Sequence, residues 1–199
     1  MEKKKLILVG STGIIGSKVL ELLSPDYEII TVNRSSGDFH VDVADADAVK
    51  QMFKEIGSFD VLIATSGSGK WGTIDDHTIQ DFHDGLNSKL MGQINLVMLG
   101  RKYANEEAVF VLSSGILAQE TVVGGLSFGV INAGLEAFVR GAAHEMKKMR
   151  INAVSPSFAK KTMEKMGMDP DKGIAAIEFA KLYQMAIDEG KTGLVYMYK

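Results

Sequence analysis

Apolar and polar positions along the chain switch between two periods. Unbroken apolar runs such as Leu6-Ile7-Leu8-Val9 and Val61-Leu62-Ile63-Ala64 read as strands buried on both faces. Between the runs, apolar residues recur every three or four positions, as in Val49, Met52, Phe53 and Ile56, which reads as helix. The pattern predicts strands over residues 6–9, 28–32, 39–43, 60–64, 109–112, 151–154 and 194–197. Helices are predicted after Gly16, behind Asp45 or Asp47 as the cap, over about residues 79–103, through Leu135, Phe138, Val139, Ala142 and Met146, and over residues 173–188. Residues 157–172 are polar with interspersed methionines and form the candidate long loop. Strand and helix alternate throughout, so the expected fold is α/β: a single doubly wound Rossmann-type domain over residues 1–199, with a central parallel sheet and helices on both faces.

Ligands of such sheets bind beyond the carboxyl ends of the strands, where the winding reverses. The richest of these ends is Gly10-Ser11-Thr12-Gly13-Ile14-Ile15-Gly16, between the first strand and the first helix. A tight glycine turn there aims backbone N–H groups and a helix dipole at one point, which suits a pyrophosphate. Gly10 would allow the turn, Gly13 the approach of phosphate to backbone, and Gly16 the close packing of helix on strand. Asn33, Arg34, Ser35, Asp42, Val43, Ala64, Thr65, Ser66, Gly67, Ser113, Ser114, Pro156 and Ser157 would converge on the same crevice from the other strand ends. The second strand ends in Asn33-Arg34-Ser35-Ser36, with no carboxylate for a ribose 2′-hydroxyl. A guanidinium with two hydroxyls suits a 2′-phosphate, so NADP(H) is expected over NAD; otherwise Arg34 is a solvated turn residue. Asp42 would lie near an adenine amino group or serve as a turn acceptor.

Composition narrows the picture. The 199 residues are 46% hydrophobic, carry a net charge of −3 and include no cysteine. No basic surface for nucleic acid is indicated, and thiolate metal sites and cysteine nucleophiles are excluded. The basic start, Met1-Glu2-Lys3-Lys4-Lys5, leads into an apolar run of only four residues, so neither a signal peptide nor a membrane segment is expected, and a cytoplasmic location is. His40, His77, His83 and His144 are scattered, so no metal site is expected. Ser114 lacks the Gly-x-Ser-x-Gly surround of a hydrolase nucleophile.

The glycine turn, Val41-Asp42-Val43, Ala64-Thr65-Ser66-Gly67, Ser113-Ser114, Ser127-Phe128-Gly129 and Arg150-Ile151-Asn152-Ala153-Val154-Ser155-Pro156 together resemble the short-chain dehydrogenase/reductase superfamily over essentially the whole chain. The resemblance implies hydride transfer between a nicotinamide cofactor and a small carbonyl or alcohol. It also implies a serine that holds the substrate oxygen, a tyrosine that moves the proton, a lysine that lowers the tyrosine pKa, and a helix asparagine. Ser114 matches the serine, but Phe128 stands at the tyrosine position and Asn132 at the lysine position. Phe82, Lys89 and Gly92 keep the spacing of the family's aromatic, asparagine and glycine, which sets Lys89 at the asparagine position. Lysine and asparagine would thus have changed places. Lys89 is expected to reach the nicotinamide ribose or the Ser114 hydroxyl, or else to be a surface lysine.

The leading reading is an atypical NADP(H)-dependent oxidoreductase acting on a small molecule; the alternative is a non-catalytic NADP(H)-binding regulatory or sensor protein, favoured by Phe128 and Asn132. A homodimer or homotetramer is expected, through the helices that carry Ile79 and Leu135. Residues 157–172 would form a short substrate lid, whose Met163, Met166 and Met168 line a substrate site or plug the core. Trp71 would wall or rim the crevice.

Overall fold

A computed structural model of the chain describes residues 3–198; Met1 and Glu2 of the basic start lie outside them. Seven strands form one parallel sheet: β1 (Lys4–Val9), β2 (Tyr27–Asn33), β3 (Phe39–His40), β4 (Phe59–Ala64), β5 (Ala104–Ser113), β6 (Arg150–Ser155) and β7 (Val195–Met197). Their order is β3-β2-β1-β4-β5-β6-β7, so the winding reverses between β1 and β4. Val9 pairs with Val32 on one side and Ala64 on the other, which brings the ends of β1, β2 and β4 level. The expected doubly wound sheet, covered on both faces, is what the chain forms.

Alternation along each strand divides the core. Ile7, Val9, Leu62, Phe110 and Leu112 face the helices α2 (Ala46–Ile56), α4 (Gly92–Gly100) and α5 (Leu126–Glu145), meeting Phe53, Leu96 and Leu135. Leu6, Leu8, Val61, Ile63 and Val111 face α1 (Gly16–Leu23) and α7 (Ala176–Asp188), meeting Leu23, Phe179 and Tyr183. Asp45, not Asp47, caps α2, accepting from the amides of Asp47 and Ala48; such caps contribute about 1 kcal/mol.

Several boundaries differ from expectation for local reasons. The third strand ends at His40, because Asp42 turns the chain by accepting from the Ala44 amide at 3.0 Å. The helix predicted over residues 79–103 stops at Gly100 and is three pieces: α3 (Ile79–Gly85), a π-helical segment Leu86–Met91, and α4. Thr78 and Asp81 close its first turn as a capping box. The helix expected around Leu135 starts nine residues earlier, at Leu126, and therefore carries both Phe128 and Asn132. The stretch 157–172 is not simply loop: α6 (Lys160–Lys165) and a 3₁₀ turn, Pro170–Lys172, occupy it. Six residues with one buried apolar side chain, Met163, are too short to show a helical period. The predicted helix over 173–188 begins at Ala176, and the last strand omits Leu194.

Candidate active site

Two adjoining cavities lie at the carboxyl edge of the sheet. The first, about 490 Å³, spans the reversal point and is lined by Gly10, Thr12, Gly13, Asn33, Arg34, Ser35, Asp42, Val43, Thr65, Ser66 and Gly67, and by Ser88, which the sequence pattern did not single out. Of the residues expected here, Ser11 faces inward, and Ile14, Ile15, Gly16 and Ala64 back the wall rather than line it. Gly10 has φ +88°, and a Cβ on it would sit 2.8 Å from the Ser66 nitrogen. A Cβ on Gly16 would collide with the Gly10 carbonyl oxygen and lie 2.6 Å from Thr65 Oγ1. Thr65 itself donates to the Val9 and Gly10 carbonyls, tying β4 to the turn.

Asn33 lines the cavity and also braces the turn beside it. Its amide is engaged by the glycine turn: Nδ2 donates to Ser11 Oγ at 2.9 Å, and Oδ1 accepts from the Thr12 amide at 3.4 Å. Arg34 next to it is exposed and has no acceptor among the described residues, so its guanidinium stands at the cavity rim uncompensated. Among the described residues the amides of Ile14 and Ile15 also lack acceptors, beside the start of α1.

The second cavity, about 230 Å³, is lined by Trp71, Lys89, Ser114, Gly115, Ile116, Leu117, Phe128, Asn132, Pro156, Ser157, Phe158, Thr162 and Met166. The structure thus brings together Ser114, Lys89, Asn132, Phe128, Pro156 and Ser157 from four separate stretches of chain. The cavities meet at Gly67, whose α-carbon leaves no room for a side chain because the Lys89 stem lies over it. The π-helical segment supplies Lys89; widened turns of this kind re-aim side chains within a helix. Its ammonium is not bonded to the Ser114 hydroxyl, one of the two contacts expected beside the nicotinamide ribose, but donates to the Ser114 backbone carbonyl at 2.9 Å and to Asn132 Oδ1 at 2.7 Å. The Phe128 ring centroid lies 5.9 Å from the nitrogen. Burial lowers the Lys89 pKa to about 8. Asn132 completes its amide by donating to the Gly115 carbonyl at 3.3 Å.

Ser114 directly follows β5 and is 2% exposed. Its hydroxyl donates to Glu136 Oε1 at 2.9 Å. Glu136, on α5, is 5% exposed and also accepts from Gln119 Nε2 at 2.7 and 2.6 Å. Neither Glu136 nor Gln119 stood out in the sequence. The available signal was the spacing of four that sets Phe128, Asn132 and Glu136 on one helix face, with a carboxylate where the buried Leu135 and Val139 flank it. Gln93, also missed, is wholly buried and clamps the strand end, donating to the Ser113 carbonyl and accepting from the Ser113 amide. Of the three methionines, Met163 plugs the core, Met166 lines the cavity, and Met168 is exposed. Trp71 forms the outer wall, against Phe128 and Phe158. Among the described residues no cluster of three His, Asp or Glu could hold a metal, and no helix is long and apolar enough to cross a membrane.

Comparison with known proteins places these cavities in context. A family model described as enoyl-(acyl carrier protein) reductase matches residues 23–193. A curated relative, the 3-oxoacyl-[acyl-carrier-protein] reductase FabG of Staphylococcus aureus, is 26% identical over 188 residues, covering 79% of this chain and 75% of its own. Among solved structures, the protein lin1944 from Listeria innocua superposes with a TM-score of 0.94 at 32% identity, over 98% of this chain and 100% of that one. A small-chain dehydrogenase in complex with NADPH superposes with a TM-score of 0.89 at 26% identity, over 100% of this chain and 97% of that one.

Proposed function

The chain belongs to the short-chain dehydrogenase/reductase superfamily, and from that premise we propose that it is an atypical oxidoreductase that moves a hydride between NADP(H) and a small carbonyl or alcohol. The first cavity fits a dinucleotide: glycines at 10 and 16 let the turn pack against Thr65 and Ser66 where side chains would clash, and the Ile14 and Ile15 amides lack acceptors at the helix start. Arg34 and Ser35 at its rim would take a 2′-phosphate, and Asp42 keeps one carboxylate oxygen clear for an adenine amino group. The bound nicotinamide would supply the hydride chemistry. The protein's part is to hold the substrate oxygen against Ser114 and to set the Lys89 charge beside it in an apolar cavity, where electrostatic stabilisation is strongest. Asn132 orients Lys89, and Phe128 and Trp71 exclude water. Residues 157–172 would serve as the lid.

The observation that carries this reading is the desolvated Lys89 ammonium at the junction of the two cavities, held on two sides by Asn132 and the Ser114 carbonyl. It supports the exchange of lysine and asparagine, since Lys89 and Asn132 line one cavity and touch each other. The test is stopped-flow oxidation of bound NADPH against a panel of small carbonyls. Turnover that Lys89→Ala abolishes supports the reading, and NADPH binding with no turnover of any panel member overturns it in favour of the sensor.

The sensor reading has one observation on its side. The Ser114 O–H and two Lys89 N–H bonds already have acceptors inside the protein, and Phe128 has no proton to give. A homodimer or homotetramer accords with the exposed apolar side chains of Met98 on α4 and of Leu126 and Val130 on α5.

A further inference from the structure

Glu136 is a carboxylate in the wrong place for a structural role. It lies 5% exposed on the core side of α5, between Leu135 and Val139, which are wholly buried. Removing a carboxylate from water is unfavourable unless hydrogen bonds and charge replace the lost hydration. Its nearest cation, Arg140 on the same helix, approaches only to 3.7 Å and is itself mostly exposed. What holds Glu136 is a set of aimed donors. Ser114 Oγ donates to Oε1 at 2.9 Å, and Gln119 Nε2 lies 2.7 and 2.6 Å from the two oxygens. Ser155 on β6 fixes Gln119 in turn, donating to its Oε1 at 3.4 Å. No other titratable group has a hydrogen bond or ion pair to Glu136 among the described residues; Lys89 lies on the far side of Ser114, against that residue's carbonyl.

The arrangement leads from the substrate cavity to the surface. Ser114 lines the cavity, Glu136 lies behind it, and Gln119 and Arg140 reach solvent. We propose that Ser114 and Glu136 form a hydroxyl–carboxylate relay that gives and takes the proton of the substrate oxygen, with Glu136 a positioning residue that acts through Ser114. This rests on the oxidoreductase reading above and supplies what Phe128 cannot. In the alcohol-oxidising direction the substrate O–H bond breaks and its proton passes to Ser114 Oγ, while the Ser114 proton passes to Glu136 Oε1. The C–H bond breaks with its electron pair leaving as hydride to an oxidised nicotinamide cofactor, and the C=O bond forms. In reduction each transfer reverses, and Glu136 exchanges its proton with water at the Gln119 and Arg140 edge.

The relay predicts that alcohol oxidation requires the Glu136 carboxylate, and carbonyl reduction its protonated form. Glu136→Gln keeps the size and an oxygen acceptor for Ser114 but cannot hold the proton. It should lower kcat by roughly 100-fold, the range of one general acid–base group, with KM and NADPH affinity unchanged. In alcohol oxidation, where the carboxylate is required, the acid limb of the kcat–pH profile should vanish with it. Ser114→Ala should lose the same limb, and the double variant should be no slower than the slower single, as groups acting in one chain are non-additive. Independently of turnover, ¹³C-carboxyl NMR at one fixed pH should show the Glu136 resonance displaced in Ser114→Ala, because a donor to the carboxylate has gone. If Glu136→Gln does not fold, Ser114→Ala carries the test alone. An unchanged pH profile in an active Glu136→Gln or Ser114→Ala protein overturns the relay and leaves the oxidoreductase reading standing. An unmoved Glu136 resonance in Ser114→Ala also overturns the relay. A parent protein that binds NADPH and turns over no carbonyl overturns both.

Discussion

The cavity over β1 is walled by backbone and short side chains drawn mainly from the turns that follow β1, β2 and β4, whereas its neighbour is closed by side chains that reach from five separate stretches of chain. In the first, Gly10 and Gly16 act through what they lack, letting the turn pack against Thr65 and Ser66 at a strand edge set by the register of Val9 with Val32 and Ala64. In the second, function depends on where a few long side chains end: Lys89 on Asn132, Ser114 on Glu136. A backbone-built site resists change because the fold holds it, and is ruined by adding atoms. A side-chain-built site can exchange its parts, provided the same chemical groups arrive.

That contrast fixes the kind of damage each cavity should suffer. Gly16→Ala forces a methyl group against the Gly10 carbonyl and Thr65 Oγ1. Overpacking against backbone should remove about 3 kcal/mol of stability and nearly all NADPH binding, measured by urea unfolding and fluorescence titration. Retention of both would mean that the turn is not rigid. Lys89→Met keeps the apolar stem over Gly67 and removes the charge. It should leave NADPH affinity within a few-fold and lower kcat by roughly 100-fold, the typical loss of one electrostatic contact to a reacting oxygen. A loss of folding instead of rate would make the second cavity as backbone-dependent as the first.

The same contrast explains what was legible in the sequence. The glycine turn could be read because its residues are consecutive and its demands on the backbone are local. The sheet could be read because buried strands are short unbroken apolar runs, and β1 and β4 appear within one or two residues of their predicted limits. Lys89 could be placed in the pocket only through the spacing Phe82, Lys89, Gly92, and that spacing did not reveal the π-helical segment that turns it inward. Glu136 escaped notice because a charged residue on an otherwise apolar helix face reads as solvent-facing until its partners, 17 and 22 residues away in sequence, are seen. Asn33 lines the cavity as its place at a strand end predicts, but its bracing of Ser11 and Thr12 could not be read from that place. Position along the chain gives the strand end; it does not say which way a side chain there points.

Arg34 offers a finer cut, since it is the one long side chain that the first cavity would need. It stands exposed at the rim, and no hydrogen bond within the described residues depends on it. Arg34→Ala should therefore leave unfolding unchanged and weaken NADPH by roughly 1.5–3 kcal/mol, the worth of hydrogen bonds to a charged group. NADH, which lacks the 2′-phosphate, should lose far less. Equal losses for the two nucleotides, read by paired titrations, would remove the guanidinium from phosphate recognition.

The smallest effect separates charge from packing inside the second cavity. Burial lowers the Lys89 pKa to about 8, below the 10.5 of an exposed lysine. Below the lower value both folded and unfolded chains carry the proton, and the folded chain bears the full penalty of a desolvated charge. Between the two values the unfolded chain holds a proton that the folded chain has released, so stability contributed at this site rises with pH across that window. The hydrogen bonds to Asn132 Oδ1 and the Ser114 carbonyl offset part of the penalty. The gain of the parent relative to Lys89→Met from pH 8 to pH 10 should therefore be about 1 kcal/mol, less than the full shift would give. Tyr183, which burial holds above the usual tyrosine range, is common to both proteins and cancels in the difference. A difference that stays flat with pH would mean that the Lys89 ammonium is as well solvated as a surface lysine, and the cavity would then lack the field that the proposed chemistry requires.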